Sequence, residues 1–119
     1  MIYFSIQNNL HYVWASRMFR QIRQASEHQS VAMIQFLGGR LMMHDHDGLY
    51  DEVYTSLGLF DSFWQLCNFS LQRKRKADLE RIPFRQGDVL FLFTEYELGN
   101  HYLVMLAKRA GAKVFLVDE

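Results

Sequence analysis

Two textures of hydrophobic and polar positions alternate along this chain. Short apolar runs, the texture of strands covered on both faces, lie at Ile2–Gln7, Ser30–Leu37, Val89–Phe93 and Val114–Val117. Between them come stretches with apolar residues every third or fourth position, which is the spacing of a helix face. Leu10, Val13, Trp14, Met18, Ile22 and Ala25 make one such stripe and predict a helix over Leu10–Glu27, with Arg17, Arg20, Gln21, Arg23 and Gln24 on or beside its solvated face. Tyr102, Leu103, Leu106, Ala107 and Ala110 make another, closed by Gly111. Between residues 40 and 83 the pattern is harder to read. It predicts a short strand near Glu52–Ser56, then a helix carrying Phe63, Trp64, Leu66, Cys67, Phe69 and Leu71 that fades into Gln72–Lys76.

The predicted order is strand, helix, strand, short strand, helix, strand, helix, strand. A three-layer Rossmann-like or flavodoxin-like α/β sandwich accounts for it, with a mostly parallel sheet of about five strands in the order 3-2-1-4-5. The stretch Gly87–Glu119 is its clearest unit: strand, polar loop, helix, and a second buried strand.

The chain has 119 residues, the size of a single domain, and half of them are hydrophobic, which excludes disorder. Its 13 acidic and 13 basic residues balance, so charge supplies no argument for a nucleic-acid partner. One cysteine, Cys67, excludes an internal disulfide; its apolar neighbours predict a buried, inert thiol. With no leader pattern and no apolar stretch approaching the roughly 20 residues that span a bilayer, the expectation is a cytoplasmic domain. A doubly wound chain ending on a strand, at Asp118-Glu119, also reads as the N-terminal half of a longer protein.

Ligands of such sheets bind at the carboxyl ends of the strands, where strand order reverses. Here that point lies between the first and fourth strands, bringing Gln7, Asn8, Asn9 and His11 beside Thr94, Glu95, Glu97, Asn100 and His101. A carboxylate with a nearby imidazole can act as a general base and its orienting partner. The plainer account makes Asn8 or Asn9 a cap of one helix, Asn100 a cap of another, the acids complements to helix dipoles, and both histidines surface residues. Gly38, Gly39 and Arg40 could present amides and a guanidinium to an anion, or simply form a tight turn leaving the second strand.

His44-Asp45-His46-Asp47 has metal-binding chemistry but no visible third ligand, so a solvated loop is the simpler reading and no metal is expected. The run Arg73–Lys76 could touch phosphates or an anionic membrane surface peripherally; without interleaved aromatics it is better explained as a solvated helix end. The dinucleotide, P-loop and nucleophile-elbow fingerprints are all absent.

The pattern GDVLFLF, polar loop, LVMLAKRAGAKV and FLVDE, together with the opening strand and polar turn of Ile2–Asn9, resembles the N-terminal half of GT-B glycosyltransferases of bacterial surface-polysaccharide synthesis. That resemblance implies a domain that holds the sugar acceptor and faces a nucleotide-sugar-binding domain beyond Glu119. It also implies metal-independent transfer without a cofactor, a base to be sought among Glu95, Glu97 and His101, and an isolated domain that does not turn over. Two other readings stay open: a free-standing flavodoxin-like binding or regulatory domain working through oligomer contacts, and a metal-dependent hydrolase using His44 and His46.

Overall fold

The apolar runs assemble into one parallel sheet. A computed structural model describes residues 1–7, 9–26, 28–37, 50–57, 67, 69–94 and 98–117. In chain order its elements are β1 (Ile2–Ile6), α1 (Asn9–Ala25), β2 (Val31–Leu37), β3 (Glu52–Leu57), α2 (Phe69–Glu80), β4 (Val89–Leu92), α3 (Leu98–Arg109) and β5 (Lys113–Leu116). All four strand pairings are parallel and the order is β3-β2-β1-β4-β5. The expected Rossmann-like α/β architecture is therefore present.

Strand order reverses at β1. Stepping outward in opposite directions with crossovers of one hand puts the helices of the two halves on opposite faces, and this is how they lie. Beneath α1 is a cluster of Phe4, Ile6, Ala15, Phe19, Val31, Met33, Tyr50 and Phe93. Under α2 and α3 a second cluster holds Tyr3, Ala32, Ile34, Leu79, Leu90, Leu92, Leu103 and Ala107. Successive residues of β1 alternate between the two, the period-two signature of a strand buried on both faces.

Four expectations need correction. On α1 the buried line is His11, Ala15 and Phe19, while Leu10 (51%) and Val13 (45%) are exposed, so the inward face is rotated from the predicted stripe. Helix α2 continues to Glu80, which puts Arg73–Lys76 in its middle rather than at its end, with Arg75 buried. Cys67 is exposed, not buried. β5 is an edge strand with Phe115 and Leu116 exposed, so it lacks the two-sided cover expected of it.

Register explains much of the packing on the α1 face. Met33, Phe4, Phe91 and Phe115 are consecutive partners across β2, β1, β4 and β5. The phenylalanines stack, at 5.3 Å for Phe4–Phe91 and 5.6 Å for Phe91–Phe115. Cover thins along this row, from a fully buried Phe4 to a Phe115 that is 48% exposed.

Charged contacts gather at the amino ends of the strands. Asp88 accepts from the Met1 ammonium at 3.1 Å and from the Arg85 backbone amide at 2.8 Å. Asp51 accepts from the Val31 amide at 2.8 Å and from Arg23 at 2.9 Å, and Arg23 also donates to the Gln29 carbonyl. Helix α3 ends in a Schellman motif: Ala112 N–H donates to Ala107 O and Gly111 N–H to Lys108 O, with Gly111 at φ 85°. The Tyr102 hydroxyl donates to the Glu80 carboxylate and the Lys76 ammonium sits 5.6 Å from the Tyr102 ring, joining α3 to α2.

The graded row of phenylalanines predicts unequal costs for one truncation. Phe4→Ala should lose about 3–5 kcal/mol of unfolding free energy, whereas Phe115→Ala should lose about 1 kcal/mol or less, measured by urea denaturation. Burial first, and the charge of Asp88 second, push the Tyr3 phenol from 10.0 up to about 12. The folded state favours the neutral phenol, so this contribution is complete below pH 10 and disappears as pH rises towards about 12. The urea midpoint should therefore fall across that window, and Tyr3→Phe should flatten the fall.

Candidate functional site

At the carboxyl ends of β1 and β4, polar side chains replace the apolar core. Ser5 is the one polar residue within β1, and it points to the α2/α3 side, where it is fully buried. A hydroxyl there must find a partner inside the protein, because an unmet buried group costs about 1–3 kcal/mol. The partner is Asn100 in the first turn of α3: Ser5 Oγ donates to Asn100 Oδ1 at 2.5 Å. Gln7, just beyond β1, donates through Nε2 to Ser5 Oγ and to Asn100 Oδ1, each at 2.9 Å. Asn100 in turn donates through Nδ2 to the Thr94 carbonyl at 2.8 Å, bridging the end of β4 to α3.

A second arm runs to α1. The Gln7 backbone amide donates to His11 Nδ1 at 3.3 Å, which leaves the proton of a neutral imidazole on Nε2. The imidazole stacks on Phe93, with ring centroids 5.4 Å apart and planes inclined by 27°, and Trp14 packs beside both. His11 is 4% exposed, so the expectation of a surface histidine is corrected; aromatic packing and the bond from the Gln7 amide help hold it inside.

The predicted constellation is thus assembled in part. His11 and Asn100 converge with Gln7 on the switch point, as the strand order requires. Asn100 spends its side chain on β1 and Thr94 rather than capping α3. His101, next in sequence, projects from α3 into solvent, away from this network. Glu95, Glu97, Asn8, Gly38, Gly39, Arg40 and the His44–Asp47 stretch lie outside the described residues, as does the side chain of Asn9. Among the described residues no group of three metal-ligating side chains gathers, and no helix is long and apolar enough to cross a membrane.

Ser5 is the member that pattern reading passed over. Its signal was present, as a hydroxyl interrupting the run Ile2-Tyr3-Phe4-Ser5-Ile6 in a strand enclosed on both faces. Among the described residues amide, hydroxyl and imidazole groups carry the site, and the charged contacts described at the sheet lie at its opposite end. It can orient a polar molecule by hydrogen bonds, with aromatic rings alongside. No protein-family model matches the chain, and no curated protein or solved structure matches it.

Neighbours on one helix should respond very differently to truncation. Asn100→Ala removes the acceptor of the Ser5 hydroxyl and of a Gln7 N–H together with the bond to the Thr94 carbonyl, and should cost about 2–3 kcal/mol. His101→Ala should stay within about 0.5 kcal/mol of the parent. Urea unfolding of the two variants checks both.

Proposed function

We propose that this chain is a ligand-binding α/β domain whose switch point holds a sugar, as the acceptor-side half of a glycosyltransferase would. The observation that carries the reading is the buried Ser5–Gln7–Asn100 network at the carboxyl ends of β1 and β4. Sugar hydroxyls both donate and accept, and amide side chains offer both functions in one planar group. The neutrality of the described site suits an uncharged ligand, and the His11, Trp14 and Phe93 rings beside it suit the apolar face of a pyranose. Binding of this kind is the acceptor domain's share of the work. Activating the acceptor hydroxyl would fall to Glu95 or Glu97, and the nucleotide-sugar donor would be held by a second domain.

Titration of the isotope-labelled chain with methyl glucoside, methyl galactoside and methyl N-acetylglucosaminide, followed through amide resonances, tests the proposal. At least one glycoside should shift Gln7, Gly99 and Asn100 saturably while leaving Lys113–Leu116 unmoved. Silence across all three, or shifts confined to residues far from the switch point, would remove the sugar reading.

A further inference from the structure

The hydrogen bonds around Asn100 have a single self-consistent direction. The Thr94 carbonyl can only accept, and it takes a proton from Asn100 Nδ2 at 2.8 Å. That turns Asn100 Oδ1 towards β1, where it accepts from Ser5 Oγ at 2.5 Å and Gln7 Nε2 at 2.9 Å. Ser5 has one proton and gives it to Asn100, so its oxygen is left to accept from Gln7 Nε2 at 2.9 Å. Both contacts fall on the Nε2 end of the Gln7 amide. Flipping the amide would set its oxygen against Asn100 Oδ1, acceptor to acceptor. What Gln7 has left is Oε1, a buried oxygen with no hydrogen-bond partner among the described residues.

Gln35 provides a contrast. Among the described residues it too has a buried Oε1 without a partner, but the bond of its amide there is Nε2 to Thr55 Oγ1 at 2.8 Å. A threonine hydroxyl can donate or accept, so the Gln35 amide can turn over and exchange its two ends. Gln7 has no such freedom. Its orientation is dictated by a backbone carbonyl two bonds away in the network.

We infer that Gln7 Oε1 is the specificity-determining atom of the switch-point site, and that the group it receives is a hydrogen-bond donor, a hydroxyl or an N–H. This rests on the switch point being a binding site. A phosphate or carboxylate oxygen placed there would face a carbonyl oxygen, acceptor against acceptor, so the anion chemistry common at this position in dinucleotide-binding sheets is disfavoured at Oε1. A donor, by contrast, relieves the cost of the unmet acceptor.

The test uses the intact chain and two probes of nearly the same shape, N-methylacetamide, which has an N–H, and N,N-dimethylacetamide, which has none, with inorganic phosphate as a third. The side-chain amide resonances of Gln7 and Asn100 should move with N-methylacetamide at about tenfold lower concentration than with its dimethyl analogue, and not with phosphate. Gln7→Met should abolish the response while keeping the dispersed amide spectrum of a folded chain; if that variant does not fold, the paired probes on the parent chain decide. Equal response to both amides, no response to either, or movement with phosphate overturns the inference. Donor dependence without glycoside binding would remove the sugar reading alone, and glycoside binding without donor dependence would remove this inference alone.

Discussion

The hydrogen bond from Ser5 to Asn100 answers a constraint set by the middle of the sheet. β1 is paired on both edges and covered on both faces, so water cannot satisfy a polar side chain within it. Whatever meets Ser5 must come from a packed helix, and Asn100 supplies it from the first turn of α3. That contact sets where α3 begins relative to β1, brings the end of β4 along through Thr94, and leaves Gln7 bridging two groups already engaged. The candidate site is therefore built from the same bonds that seat α3, and binding chemistry and packing cannot be altered separately there.

The two ends of the sheet differ in chemistry. At the amino ends, carboxylates tie the chain together: Asp88 holds the Met1 ammonium and the Arg85 amide, and Asp51 holds the Val31 amide and Arg23. The Arg23–Asp51 pair is partly solvated and contributes about 1 kcal/mol at most, so the bond from Asp51 to the Val31 amide matters more than the ion pair. At the carboxyl ends the described contacts are neutral. Charge thus serves closure at one end, and directional amide bonding serves recognition at the other.

Much of this architecture could be read from the residues. Apolar runs such as Val89–Phe93 show in sequence that a strand is covered on both sides, and their alternation with helical spacing was enough to place β1 and β4 at the centre. Hydrophobicity failed where packing overrode it. On α1 the count favoured Leu10 and Val13, yet the inward line begins with His11, because Phe93 offers its ring a stacking partner and Gln7 offers Nδ1 a proton. On α2 the inward positions include Arg75 and Leu79 while Phe69 is 80% exposed, so apolar periodicity was nearly lost and the strong helix propensity of Arg and Lys was the better guide. At the site, His11 and Asn100 were legible as neighbours through topology alone. Ser5 was not, because a single hydroxyl in an apolar run looks like noise until both faces of its strand are known to be closed.

The pairing of β1 also bears on how the chain can fold while it is being made. Ile2 pairs with Val31 on one side and with Val89 on the other. Within this sheet the strand made before the other four therefore waits for the fourth to complete its bonding, and the Met1–Asp88 contact spans 87 residues. Until β4 emerges, β1 keeps one backbone edge open beside Tyr3, Phe4 and Ile6, a combination suited to pairing with another nascent chain. A central strand that precedes its partners in the chain gives a sheet closed at its middle, and a growing polypeptide that carries an open edge there until β4 is made.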